Sequence, residues 1–398
     1  MNDTSGLSPV ALLRLADQCV KCGYCLPVCP TFRLYRDEAD SPRGRIALIQ
    51  GWLGGALSPT PRFDAHLDRC LECRACEQVC PSRVRFGALM DGARALRAAH
   101  GRGRLARGFW HLLSTARGVV ALAAVATLYR RTGVAWLVER LGIARFPRLA
   151  FWHELSAAWR WPPARPMSVS AAGASPVGLF LGCVARATHT DTIAALVRVL
   201  ERLGIAYVVP PTQTCCGGLL RHNGWPRAAE AQLVRNAAAF AGLRALGFAS
   251  ACVAELNAHP ALQAVEICRF LRDSPQLAAA TVRPLRARVV VHEPCSHRHL
   301  LRDTAAVYDL LARIPELEVQ PLPGNDQCCG AAGGYLLTQP ETAVRLAADK
   351  IAAVRALQPA CLVTTNTGCA IHLAVQLRAA GLNIPVLHPV ELLARQLE

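Results

Sequence analysis

The chain has 398 residues, enough for two or three domains at ~100–200 residues each. Hydrophobic residues make up 52% and charged residues 18%, against a usual charged share of ~25%, so a disordered chain is excluded. The formal charge is +16, and Lys21 and Lys350 are the only lysines; a GC-rich genome alone produces such an arginine bias. The longest unbroken apolar stretch, 118–129, falls short of the ~20 residues a membrane-crossing helix needs. Met1-Asn2-Asp3-Thr4-Ser5-Gly6 has no basic segment leading into a hydrophobic run, so the expected location is the cytoplasm. There, 18 cysteines cannot form a disulfide framework, and metal or redox chemistry is the default reading.

Eight of the cysteines fall in two runs of identical spacing. Cys19, Cys22, Cys25 and Cys29 precede Pro30, and Cys70, Cys73, Cys76 and Cys80 precede Pro81. This is the bacterial ferredoxin run, in which three thiolates hold one 4Fe–4S cluster and the fourth reaches the other. The ligand sets are therefore expected to cross over: Cys19, Cys22, Cys25 and Cys80 for one cluster, Cys29, Cys70, Cys73 and Cys76 for the second. A pair of zinc sites fits poorly, because zinc takes four ligands from paired knuckles and has no use for a trailing Cys-Pro. Between the runs, Ser41 and Pro42 predict a helix start. Arg43 and Arg45 are placed either beside a cluster or on a solvated face.

From Arg94 to Arg148 there are eleven arginines and one acid, Glu139, interleaved with Phe109, Trp110, Leu122, Leu128, Trp136 and Leu137. The segment reads as helical. Such a mixture suits an anionic membrane surface or an inter-domain bridge with a solvated basic face. Nucleic-acid binding would need a recognisable module, and none is present. Residues 160–175, rich in Pro, Ala and Ser, read as a linker.

The rest of the chain repeats itself. Cys183, the pair Cys215-Cys216 with Gly217, and Cys252 recur as Cys295, Cys328-Cys329 with Gly330, and Cys369, at offsets of 112, 113 and 117 residues. Val265-Glu266-Ile267 is matched to Val390-Glu391-Leu392. Such self-similarity signals duplication. Strands are predicted at 177–181, 205–209, 289–291, 317–320 and 361–365, with helices at 190–203 and about 303–313. Every cysteine group follows a strand, so the groups of each copy are expected to converge where an open α/β sheet gathers its ligands. The glycines after each Cys-Cys pair are expected to let backbone approach a cluster. Cys268 and Cys361 are read as core. His292, Glu293 and His297 flank Cys295, where they can tune a cluster or carry protons.

At these residues the chain resembles the glycolate oxidase iron–sulfur subunit family, related to the iron–sulfur subunits of heterodisulfide reductase and anaerobic glycerol-3-phosphate dehydrogenase. The resemblance rests on both ferredoxin runs, Asp40–Ile46, Gly182-Cys183, Cys215–Gly218 with His222, His292–Cys295, Cys328–Gly330, Thr367–Ala370 and Pro389–Leu392. Its third cysteine group departs from the family's Gly-Cys-Gly or Cys-x-x-Cys: copy one reads Ser250-Ala251-Cys252-Val253 and copy two Thr367-Gly368-Cys369-Ala370. A further cluster is therefore expected at Cys295, Cys328, Cys329 and Cys369, while the lost glycines argue against a complete one at Cys183, Cys215, Cys216 and Cys252.

The expected architecture is mixed α+β and α/β. A helical two-cluster ferredoxin domain occupies 1–100, a basic helical bridge and linker 101–175, and two duplicated cysteine-rich α/β domains 176–285 and 286–398. No G-x-G-x-x-G follows a strand and no P-loop is present, so a flavin belongs on another chain. The resemblance implies an electron-transfer subunit beside FAD-bearing partners that oxidise a 2-hydroxy acid, delivering to a quinone or similar acceptor and inactive alone. The alternatives are a thiol/disulfide reductase subunit, the iron–sulfur subunit of a D-lactate or glycerol-3-phosphate dehydrogenase, or a zinc or nucleic-acid module.

Overall fold

The computed structural model describes residues 8–100, 104–142, 147–163 and 176–398. Most of the expected linker lies outside the described residues, as do Met1 to Gly6, on which the leader reading rests.

Residues 8–100 contain helices and loops and, among the described residues, no strand. Helices Pro9–Asp17, Pro42–Leu53 and Pro61–Asp68 start alike, with proline in the first turn behind a hydroxyl cap. Ser8, Ser41 and Thr60 accept the N–H of Ala11, Gly44 and Phe63 respectively. Each cap answers one orphan donor, and proline has no N–H to leave orphaned. Together with helix Phe86–Ala99 they bury Leu12, Ile46, Ile49, Leu67, Leu89 and Met90 in one core that also holds Cys70 and Cys76.

The basic segment is helical as expected: Arg104–Leu113, Ala116–Arg131, Val134–Arg140 and Pro147–Ser156. No single helix among the described residues is long and apolar enough to cross a membrane, and the first two bend by 87° at their junction. One side is anchored. Trp110 and Leu113 pack with Leu220 and Ala229 of copy one, and a Cβ on Gly334 of copy two would come within 2.3 Å of the Trp110 ring. The other side exposes Val125, Leu128, Trp136, Leu137 and Leu141.

The repeated region forms two parallel sheets. Strands β1 (Val177–Phe180), β2 (Tyr207–Val208), β3 (Arg244–Gly247) and β4 (Val265–Glu266) lie in the order β2-β1-β3-β4. Strands β5 (Ala287–Val291), β6 (Leu317–Pro321), β7 (Cys361–Val363) and β8 (Val386–Leu387) repeat it as β6-β5-β7-β8. The sheets share one interior: Leu179, Leu246 and Ile267 of the first pack in the same cluster as Val289, Val363 and Leu393 of the second. Burying each such side chain contributes roughly 1.5–3 kcal/mol, so neither sheet is complete without its neighbour. Cys268 and Cys361 are buried in this cluster, as expected of core residues.

The structure corrects one alignment. Glu266 ends β4 and caps helix Ile267–Arg272, accepting the Cys268 N–H. Its counterpart is His388, which follows β8 and caps helix Pro389–Gln396, and not Glu391. The Val-Glu dipeptides coincide in letters, but one ends a strand and the other lies in the first turn of a helix.

Candidate metal centres

The ferredoxin runs are loops bent by left-handed residues at matching places. Lys21 and Gly23 in the first run (φ 57° and 89°) correspond to Glu72 and Arg74 in the second (φ 50° and 60°). Side chains other than glycine reach this region only at a cost of ~1–2 kcal/mol each, so the wrap is over-determined by what surrounds it. Cys29 then takes the residue position just ahead of the short helix that Pro30 opens, its thiol free of any cap bond to that helix. As a result Cys19, Cys22, Cys25 and Cys80 line one cavity, and Cys29, Cys70 and Cys73 line another. Cys76 stands in the wall between them and lines both. Burial pushes the Cys25 thiol up to about 11 and holds Cys73 and Cys76 well above the ordinary thiol range. A bound cation reverses that penalty, because a coordinating thiol is deprotonated outright. With Cys76 counted to the second cavity, each has the four thiols that fit a 4Fe–4S cluster.

The two arginines between the runs part company. Arg45 is 1% exposed and lines the second cavity, where the solvated alternative is corrected. Its guanidinium donates to Thr31 Oγ1 at 3.1 Å, to His66 O at 2.6 Å and to Asp40 Oδ1 at 3.3 Å. Asp40, itself fully buried, is also held by Arg69 at 2.9 Å and His66 at 3.0 Å. Thr31 lies 3.3 Å from the Cys29 sulfur, so this network fixes the thiol that crosses over. Arg43 stays at the surface beside the first cavity, donating to Glu38 Oε1 at 2.7 Å and to Lys21 O at 3.2 Å.

In each copy the three cysteine groups meet past the carboxyl ends of the strands. Cys183 follows β1, Cys215-Cys216 follow β2, and Cys252 sits on the helix after β3. The Cys183 and Cys215 sulfurs are 3.2 Å apart, and Cys216 is hydrogen-bonded to both Cys215 and Cys252. Copy two repeats the chain of contacts: Cys295 to Cys328, Cys328 to Cys329, Cys329 to Cys369. The lost glycines of copy one therefore do not keep Cys252 from its partners, and all four thiols assemble in both copies.

Two devices build this geometry. One was not legible in advance. The Gln213 side-chain amide spans the end of β1, accepting from Leu181 N at 2.8 Å and donating to Leu179 O at 2.9 Å. Asn325 does the same for β5, at 3.1 Å to Glu293 N and 2.9 Å to Val291 O. The pattern could be found only by setting the copies side by side around a one-residue shift. The second device corrects an expectation. Gly217 and Gly330 have φ of 94° and 90°, and a Cβ there would come within 2.9 Å of Ala229 O and 2.7 Å of Ala343 O. These glycines admit a helix backbone, not a cluster. Their N–H groups donate to Cys215 and Cys328, both at 3.4 Å.

The flanking residues separate in role. Glu293 turns to Tyr308 at 2.7 Å and Arg298 at 2.9 Å, and His297 Nδ1 lies 2.8 Å from Thr365 Oγ1. His292 alone of the three joins the thiols, with a ring nitrogen within 4.8 Å of the Cys329 and Cys369 sulfurs. His222 lies elsewhere, between copy one and the ferredoxin helices, 2.6 Å from Glu72 and 3.0 Å from Asp91. Burial opposes its charge, but the two carboxylates outweigh it and hold His222 well above its usual value. The same contact, with Arg94, takes Glu72 down to about 2 against its own burial.

The surroundings order the sites. Cys73 packs into the same apolar cluster as Cys295, Cys328 and Cys329, together with Leu71. Copy two therefore abuts the second ferredoxin cavity. Copy one faces the bridge: Cys183 packs on Val119 and Ala123, and Ser114 hydrogen-bonds Cys215.

A helical dicluster ferredoxin unit joined to a duplicated cysteine-rich α/β unit defines an iron–sulfur protein of the oxidoreductases. A 4Fe-4S dicluster domain matches residues 15–84, and a cysteine-rich domain matches 177–254 and 289–374. The chain is 33% identical to the glycolate oxidase iron-sulfur subunit of Escherichia coli (strain K12), over 96% of its own length and 94% of that protein. It belongs to the glycolate oxidase iron–sulfur subunit family. It is also 29% identical to the probable glycolate oxidase iron-sulfur subunit of Bacillus subtilis (strain 168), over 94% of this chain and 92% of that one. Lactate utilization protein A of Geobacillus kaustophilus matches at 27% over 54% of this chain and 98% of its own.

Proposed function

We propose that this chain is the electron-relay subunit of a flavin-linked 2-hydroxy-acid oxidase or dehydrogenase, with glycolate as the substrate class of its partner. The FAD sits on partner subunits, and the final acceptor is a quinone or similar molecule. Cys19, Cys22, Cys25 and Cys80 hold one 4Fe–4S cluster, Cys29, Cys70, Cys73 and Cys76 the second, and Cys295, Cys328, Cys329 and Cys369 a further iron–sulfur site. Bound clusters supply reversible one-electron exchange. The chain's own part is to keep the sites dry, charge-compensated and in sequence. The observation that carries the reading is contiguity: Cys76 lines both cavities, and Cys73 packs beside Cys295 and Cys328. The test is turnover with a quinone and the paramagnetic spectra of the reduced clusters. The isolated iron-loaded chain is expected to leave glycolate and lactate untouched and to deliver electrons only with its flavoprotein. Cys29→Ser is expected to damage the cluster held by Cys70, Cys73 and Cys76. Turnover by the chain alone, or damage confined to the Cys19 site, overturns the reading.

The exposed face of the bridge extends this proposal to a membrane surface. Val125, Leu128, Trp136, Leu137 and Leu141 stand out beside the exposed Arg117, Arg131 and Arg140, a combination that suits anionic headgroups. Co-sedimentation with phosphatidylglycerol vesicles, absent with phosphatidylcholine and lost in Trp136→Glu, is the expected result.

A further inference from the structure

Copy two carries a buried donor that copy one lacks. His292 precedes Cys295 by three residues, where copy one has Phe180 before Cys183. Phe180 packs against Phe240 and offers no ligand atom. His292 is 1% exposed, and its ring nitrogen and the sulfurs of Cys329 and Cys369 all lie within 4.8 Å of one another. Thr364 Oγ1 holds the Nδ1 atom at 3.0 Å. A metal-bound histidine characteristically has its second nitrogen fixed in this way, which sets the tautomer and aims the ring. The Lys350 ammonium stands near the ring. Lys350 is itself specific to copy two. It is buried, with Nζ 2.6 Å from Gly324 O, and ten residues into the corresponding helix copy one has the neutral Asn236.

We propose that the His292 imidazole is a nitrogen ligand of the site formed by Cys295, Cys328, Cys329 and Cys369, so that copy two is a mixed thiolate–imidazole centre. The inference rests on the reading that these thiols hold iron. Imidazole is neutral where thiolate is negative, so it favours the reduced state and raises the potential, as histidine ligation does in Rieske centres. That makes copy two, the site beside Cys73, a good receiver of electrons from the second ferredoxin cavity.

The test uses the full chain, purified anaerobically with nitrogen-15 only in histidine, and pulsed paramagnetic resonance of its redox-poised states. A directly bound nitrogen coupling is expected in the parent, retained in His372→Gln, a change at the buried ring that meets Ala343 O through Nε2 at 3.1 Å, and lost in His292→Phe, the residue that copy one already accommodates. His292→Cys is expected to keep the iron, lose the coupling and lower the midpoint potential of this site. A coupling that survives His292→Phe overturns the proposal, as does a parent without coupling whose iron content falls in Cys328→Ser. Iron content unchanged by Cys328→Ser overturns the underlying reading, and the proposal with it.

Discussion

The two cysteine-rich copies have one scaffold and two linings. Both use the strand order second-first-third-fourth, both clamp the first strand with a side-chain amide, and both admit a helix backbone at the glycine after the Cys-Cys pair. In both, four thiols meet. The differences lie one layer out. Copy one places Phe180 and Asn236 where copy two places His292 and Lys350, and the thiols of copy one lean on the bridge while those of copy two lean on the ferredoxin thiol Cys73. Duplication kept what backbone geometry requires and released what only tunes charge. A shared fold is thus compatible with two chemically different sites.

The largest expected contrast is between thiols. Cys369→Ser is expected to abolish electron delivery in the reconstituted complex, and Cys252→Ser to reduce it less, because only copy two abuts Cys73. Equal losses, measured as quinone turnover, would place the copies in series. The shared scaffold is tested next. Gly217→Ala and Gly330→Ala each force a side chain into the left-handed region, ~1–2 kcal/mol, and crowd a helix carbonyl, ~1–3 kcal/mol. Denaturant titration is expected to show similar losses for both.

Lys350→Met separates the linings. It removes the hydrogen bond to the Gly324 carbonyl, which water can replace because Gly324 is exposed, and takes a cation away from the copy-two thiols, so the midpoint potential there is expected to fall. Asn236→Leu is expected to destabilise the fold without moving that potential. The smallest effect concerns the ferredoxin contact of copy one. His222 is raised above its ordinary 6.5, so its stabilisation is complete below that pH and disappears as pH rises through the raised value. The far side of the ring reaches solvent, which damps the effect. The melting-temperature gap between the parent and His222→Gln is expected to be widest near pH 6 and to close at alkaline pH.

Much of this was legible in the residues themselves. Two ferredoxin runs with a trailing Cys-Pro declare their chemistry because a loop must bend at fixed intervals to turn three thiols inward. The duplication was legible because its cysteine groups recur at nearly constant spacing, and five of the eight strands were legible as short apolar runs, whereas β3 ahead of Cys252, reading Arg-Ala-Leu-Gly, has no β-branched residue to announce it. Ser41-Pro42 named a helix start because capping is local. What the tertiary structure alone decided involves partners far apart in sequence. Arg45 is buried because Asp40, Thr31 and His66 O converge on it. His222 meets Glu72 and Asp91 across the domain contact, and His292, just past β5, meets Cys329 in the loop after β6 and Cys369 on the helix after β7. Gly330 answers to Ala343, on helix Pro340–Leu357. Spacing encodes contacts that a few residues of chain can close, whereas these depend on how whole helices and sheets pack, and packing is set by the sum of many apolar contacts that no single motif records.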